Sequence, residues 1–261
     1  MRVALVTGAS SGIGEATARR LAREPDIALV LVARRGERLE RLAASLEVPT
    51  TVCAVDLTAD DAPATVRAHV EREHGRLDVL VNNAGAGWRA EFAEGGVANV
   101  ERTMTVNFTA VVRLTEALLP LLRAAGPGSA VVNVTSVTGR VARAGTGAYA
   151  ASKFALNGWS EALWAEERAH GVHVGLVLPG FVSTEGFPQA ELTARRVTRW
   201  LVTTPETIAE AIADVALNGR AERYSPRYYW LVAAARVLAP RLVRRILGGS
   251  TARHFDTNVQ D

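Results

Sequence analysis

The hydrophobic positions of this chain fall into two alternating rhythms. Short runs of Val, Leu, Ile and Ala occupy residues 2–7 (RVALVT), 27–33 (IALVLVA), 50–56 (TTVCAVD), 77–82 (LDVLVN), 129–136 (SAVVNVTS) and 172–179 (VHVGLVLP). They are continuous rather than alternating in and out, the pattern of strands buried on both faces. Between them lie stretches with helical spacing and charged faces, among them 36–46, 66–75 and 99–126. Strands alternating with helices predict an α/β fold, a doubly wound parallel sheet with helices on both faces and right-handed crossovers. Ligands of such sheets bind beyond the carboxyl ends of the strands, so the residues just after each strand are the ones to watch.

Near the C-terminus the rhythm changes. Residues 227–249 (RYYWLVAAARVLAPRLVRRILGG) are apolar and arginine-rich, interrupted by Pro240. They read as a basic amphipathic helix pair, packed on its own domain, on a partner subunit, across a pocket or on a membrane. Residues 250–261 lack periodicity and read as a flexible tail. No linker or charge block divides the chain, so residues 1–249 are expected to form one domain.

Composition removes several function classes. The 261 residues are 48% hydrophobic, with a formal net charge of +3. The basic residues, nearly all arginine, are spread over helix faces that also carry Glu, so nucleic-acid binding is not indicated. Cys53 is the only cysteine, which excludes an intramolecular disulfide and a cysteine-based zinc site, and no metal is expected. The N-terminal apolar run is too short for a signal peptide, and no apolar stretch approaches the ~20 residues of a spanning helix. A soluble, cytoplasmic protein is expected, with membrane association as the lesser alternative.

Three features carry candidate chemistry. The first strand runs into TGASSGIG (7–14), a glycine-rich turn opening a helix, which brings backbone N–H groups and a positive helix end up to a pyrophosphate. Its Gly8, Gly12 and Gly14 are spaced G-x-x-x-G-x-G, unlike the common dinucleotide fingerprint, and no P-loop lysine follows. In GAYAASKFALNGW (147–159), Tyr149 and Lys153 stand one helical turn apart. A cation beside a phenol stabilises the phenolate and makes the tyrosine a better proton-transfer group. Ser136 closes the fifth strand, with a hydroxyl able to donate to a carbonyl oxygen; Thr135 and Thr138 are its nearest substitutes. Each feature alone also fits a packed turn, helix or strand end.

Taken in order, TGASSGIG, NNAG (82–85), Asn107, Ser136, YAASK (149–153) and PGFVST (179–184) resemble the short-chain dehydrogenase/reductase family over residues 2 to about 218. The resemblance implies a Rossmann-type fold and a catalytic set of Asn107, Ser136, Tyr149 and Lys153. Tyr149 would be acid in reduction and base in oxidation, its pKa drawn toward the working pH by Lys153, which would also bond the nicotinamide ribose. Asn107 would help hold a water linking that lysine to solvent. Gly8, Ser10, Ser11, Gly12, Ile13 and Gly14 would cradle the pyrophosphate, while Asp56 and Leu57 would contact the adenine. Asn83, Ala84 and Gly85 would line the cofactor, and Pro179, Gly180, Val182 and Thr184 would close on the nicotinamide carboxamide. After the second strand come Arg34 and Arg35 with no acidic residue until Glu37, so the ribose site suits a 2′-phosphate and NADP(H), with NAD(H) left open. Ser11 argues the other way, because related NADP enzymes often carry a basic residue in that loop.

The function implied is an oxidoreductase interconverting a carbonyl and a secondary alcohol on a small, mostly apolar substrate. The alternative is an NADP(H)-binding regulatory or scaffold protein without turnover. Residues 185–202 fit a substrate lid, with Trp88, Phe92, Phe187 and Trp200 as candidate pocket aromatics, and ERYSP (222–226) is the best candidate for the last strand. The resemblance also implies a homodimer or homotetramer built on the two long central helices.

Overall fold

In a computed structural model, which describes residues 1–185 and 201–247, seven parallel strands form the central sheet. They are β1 (Arg2–Thr7), β2 (Ile27–Ala33), β3 (Thr50–Ala54), β4 (Val79–Asn82), β5 (Ser129–Val134), β6 (Val172–Pro179) and, at one edge, β9 (Glu222–Ser225). The order is β3-β2-β1-β4-β5-β6-β9, so the winding reverses beside β1. The fold is thus the doubly wound sheet expected from the pattern, of the Rossmann type that the resemblance implies. Two short strands, β7 (Phe181–Val182) and β8 (Val202–Thr203), pair with each other beyond the end of β6. Most of the expected lid lies outside the described residues, as do Phe187, Trp200 and the tail from 248 onward.

The continuous apolar runs are strands with both faces covered. All seven residues of β2 and all six of β5 are buried. Successive residues feed two separate cores, as the two-residue strand period requires. Ala4, Val6, Leu29 and Leu31 pack under α1 (Gly12–Leu21), α2 (Gly36–Ala44) and α7 (Pro205–Asn218). Val3, Leu5 and Val30 pack under α3 (Ala62–Glu73) and α5 (Ala110–Ala125), with Leu163 of α6 (Gly147–Glu167).

The stretch read as one helix over 99–126 is interrupted. It comprises α4 (Phe92–Met104), a π turn at Thr105–Thr109, and α5. Asn107 lies buried within this π turn, a distortion frequent at functional sites. The stretch Phe92–Ala125 is also apolar enough by composition to span a membrane, contrary to the expectation from the sequence. Its Leu114, Leu118 and Leu122 are instead buried in the core beneath the sheet. The half-polar ERYS run is indeed the last strand, paired with β6 from Leu176↔Glu222 to Pro179↔Ser225. Beyond it, α8 (Tyr229–Leu238) and α9 (Pro240–Leu247) form the expected helix pair, separated at Ala239.

Candidate active site

Beyond the carboxyl ends of the strands opens a cleft of about 590 Å³. At one end lies the turn after β1. Gly8 and Gly12 adopt φ of +68° and +56°, a region costly for side chains bearing a Cβ. A Cβ on Gly14 would stand 2.2 Å from the Gly8 carbonyl oxygen, so α1 can start this close to the strand only with glycine there. Thr7 ties the turn to its neighbour: its hydroxyl donates to the Val81 carbonyl and accepts from the N–H groups of Asn83 (2.9 Å) and Ala84 (3.0 Å). Ser10, Ser11, Gly12 and Ile13 line the cleft, as do Asn83, Ala84 and Gly85. Asn82, by contrast, is buried, donating to Thr115 Oγ1 and Asn133 Oδ1, and belongs to the core.

Arg34, Arg35, Asp56 and Leu57 form the rim beside that turn. Arg35 reaches back over the glycine loop, its Nη2 donating to Ser11 Oγ at 2.7 Å and its Nε to Ser10 Oγ at 3.2 Å. A guanidinium therefore stands over the loop although the loop itself has no basic residue. Glu185 lies across it, 3.6 Å from Arg35 Nη1 and doubly hydrogen-bonded by Arg38. Those Arg38 bonds, with lesser pulls from Arg35, hold the Glu185 carboxyl below its ordinary range. Asp56 Oδ1 accepts from the N–H and hydroxyl of Thr58, which lowers its pKa and fixes the carboxylate at the rim.

At the other end, Ser136, Tyr149 and Lys153 converge. Ser136 Oγ accepts from Thr138 N at 3.0 Å and bonds the side chain of Tyr149. Lys153, the single lysine of the chain, is buried with its Nζ 5.7 Å from the centre of the Tyr149 ring and donating to the Val134 carbonyl at 3.0 Å. Proximity does not have the expected effect in the chain by itself. Burial pushes the Tyr149 phenol up to about 12, with the Ser136 hydrogen bond opposing it, and burial pulls the Lys153 ammonium down to about 8. Loss of hydration is the largest influence on both groups at this end of the cleft, where Lys153 is buried and Tyr149 half-buried.

Asn107 is fully buried and does not line the cleft. Its Oδ1 accepts from Ala86 N at 2.8 Å, and its Nδ2 donates to the Ala86 carbonyl and to Ser152 Oγ. The amide is thus committed to pinning the loop after β4 against α6. A Cβ on Gly85 would sit 3.0 Å from Asn107 Oδ1 and 3.6 Å from Lys153 Nζ, so the three residues form one packed unit.

Pro179, Gly180, Val182 and Thr184 line the cleft after β6, with Thr184 packed over Gly12. Gly180 is required by a close approach more than by a turn: a Cβ there would lie 2.4 Å from the Tyr229 ring. Trp88 lines the cleft, stacked under Arg102 at 4.6 Å, whereas Phe92 is 73% exposed and stands away from it. The sequence reading missed Val137, Val141 and Arg143, and also Tyr229, Val232 and Leu247 of the C-terminal helices. The only signal of the last three was an apolar, arginine-rich tail consistent with several placements.

The residues present fit a nicotinamide dinucleotide: a glycine-rich cradle at a helix N-terminus, two arginines on the rim beside it, and a polar cluster at the far end. A family model described as short chain dehydrogenase matches residues 2–194. This chain belongs to the short-chain dehydrogenase family. It is 37% identical to a cis-4-hydroxycyclohexanecarboxylate dehydrogenase of Sinomonas cyclohexanicum, over 82% of this chain and 89% of that one. It is also 34% identical to dehydrogenase/reductase SDR family member 7B of Danio rerio, but there the match spans 70% of this chain and only 62% of the relative. Among solved structures, a short-chain dehydrogenase from Streptomyces avermitilis superposes with a TM-score of 0.79 at 30% identity, covering 98% of this chain and 99% of that one. The L-sorbose reductase of Gluconobacter frateurii, solved with NADPH and L-sorbose, superposes at 0.77 with 27% identity, covering 85% and 94%. The short-chain dehydrogenase fold accounts for the sheet order and for the cleft at its carboxyl edge.

Proposed function

We propose that this short-chain dehydrogenase interconverts a ketone and a secondary alcohol using NADP(H). The observation that carries the reading is the convergence of Ser136, Tyr149 and Lys153 at one end of a cleft whose other end is a glycine-lined dinucleotide cradle. A bound nicotinamide supplies or accepts the hydride. The chain handles the proton. Tyr149, kept neutral by burial, donates its hydroxyl proton to the substrate oxygen in reduction and recovers it in oxidation. Ser136 bonds that same oxygen and orients it against Tyr149. Lys153, with an ammonium that titrates near pH 8, exchanges protons at neutral to mildly alkaline pH and is the group through which the phenol is recharged. Asn107 acts by position, holding Ala86 and Ser152 so that Lys153 keeps its place behind Gly85.

NADP(H) is favoured by Arg34 and Arg35 at the rim, where forked charge-assisted bonds suit a 2′-phosphate. Arg35 over Ser10 and Ser11 supplies from the turn after β2 the cation that the glycine loop lacks. The substrate half is walled by Trp88, Val137, Val141, Phe181 and Tyr229, which suits an apolar carbon frame, with Arg143 stacked on Phe181 at its edge. A homo-oligomer through α5 and α6 is part of the proposal, and exposed Phe154 and Trp164 on α6 support it.

The test is oxidation of NADPH, and separately NADH, by the purified protein. The panel contains cyclic and linear ketones, 4-oxocyclohexanecarboxylate, and keto-sugars, with Tyr149→Phe as control. The expected result is turnover with NADPH exceeding NADH, and a loss of roughly 10²–10⁴-fold in kcat for Tyr149→Phe. Undiminished turnover in Tyr149→Phe would sink the mechanism. Tight NADPH binding with no turnover on any substrate would favour the regulatory alternative.

A further inference from the structure

The outward face of α8 is the apolar one. At about 100° per residue, Trp230 and Val237 share one line along the helix and Leu231 and Leu238 share the next. Val237 is 76% and Leu238 83% exposed, while Tyr229 on the opposite side is buried. Seven of the twelve large apolar side chains exposed among the described residues belong to α8 and α9. In α9, Arg241, Arg244 and Arg245 fall within an arc of about 100°, and Leu242 and Ile246 lie exposed on the other side. Arg227 and Arg236 add to the charge, and residues 227–247 contain no Asp or Glu.

We infer that α8 and α9 dock this protein on an anionic lipid surface. A second copy of the chain meeting this face in a two-fold contact would oppose arginines to arginines with no acid on either side, whereas anionic headgroups complement the arginines and the acyl boundary takes the exposed apolar rows. Trp230 is of the residue type that sits at the headgroup level. At 1.5 Å per residue, α8 and α9 are about 15 and 12 Å long, too short to cross a hydrocarbon core of ~30 Å, so both lie in the interface plane. The same helices supply Tyr229, Val232 and Leu247 to the cleft, which puts the bilayer beside its mouth. An apolar substrate then enters from lipid. That corollary rests on the proposed function; the docking does not.

The test is flotation of the full chain with phosphatidylcholine vesicles, with and without phosphatidylglycerol. Wild type is compared with an Arg241→Gln/Arg244→Gln/Arg245→Gln triple variant and a Leu238→Glu/Ile246→Glu double variant. All five positions are exposed, and melting temperature and molar mass by light scattering check the fold of each. The expected result is flotation only with the anionic vesicles, weakened by salt, about 100-fold weaker in the triple variant and lost in the double one. Absence of wild-type flotation overturns the inference, as does equal flotation of all three proteins. A double variant of lower mass than a wild type that does not float would assign the face to a second copy and overturn it too. Loss of reductase activity alone bears only on the proposed function, because flotation is read without turnover.

Discussion

Replacing Lys153 by Met should stabilise the cofactor-free protein at neutral pH while removing its activity. The Lys153 ammonium is buried, and its pKa falls from an ordinary 10.5 to about 8 because burial strips its hydration. The folded chain releases this proton before the unfolded chain does. Between pH 8 and 10.5 the unfolded state therefore binds more protons, and stability rises with pH across that window. Below pH 8 the full cost is present, about 3 kcal/mol from that difference in pKa, as an order of magnitude. Methionine, of similar length and uncharged, removes this cost. It also removes the hydrogen bond from Nζ to the Val134 carbonyl, a loss of about 1 kcal/mol. The net gain at pH 7 is then of order 2 kcal/mol, roughly 5 °C in Tm for a chain of this size. The gain should shrink as pH rises past 8 and reverse near 10, where only the lost hydrogen bond remains. Urea unfolding of both proteins from pH 6.5 to 10, without nucleotide, measures the difference directly, and it cancels contributions from Cys53 and other groups common to both. A variant less stable at pH 7, or a difference independent of pH, would refute the claim that burial dominates the electrostatics of this site.

Three other substitutions probe separate parts of the cleft. Arg35→Ala should weaken NADPH binding by about 10–100-fold, the value of charge-assisted bonds to a phosphate, and leave NADH binding nearly unchanged; fluorescence titration with each nucleotide decides this. Glu185→Gln removes the carboxylate that engages Arg35 and Arg38 and should tighten NADPH binding several-fold without a measurable change in Tm, since the group is exposed. An unchanged NADPH Kd in that variant would mean that Arg35 does not meet the phosphate. Gly180→Ala forces a methyl group against the Tyr229 ring, so it should cost about 1–3 kcal/mol in thermal unfolding and raise the substrate KM more than the nucleotide Kd, because Tyr229 walls the substrate half.

Much of this architecture could be read from the chain because it depends on local periodicity. Strands buried on both faces must be apolar throughout, which made β1, β2, β5 and β6 visible as uninterrupted runs. Strand β9 was fainter because it lies at the sheet edge, where Glu222 is exposed and the run is half polar. The glycine turn and the Tyr149/Lys153 pair were visible for the same reason: each is set by spacing within one element and its flank. The interruption of the long helix at Asn107 left no such mark, since a π turn adds one residue without changing composition.

The sequence by itself determined the strand-helix alternation, the turn in which only glycine fits, and the placement of a phenol and an ammonium on one helix face. These follow from backbone geometry over a few residues. Tertiary structure alone decided how those groups behave. It buried Lys153 behind a half-buried Tyr149 at the end of the cleft, where lost hydration governs both groups, carried Arg35 from one loop onto the serines of another, and folded Tyr229, Val232 and Leu247 back from the C-terminus as a wall of the cleft. Desolvation and long-range contact depend on what surrounds a residue in space, and the identities of its chain neighbours do not specify that.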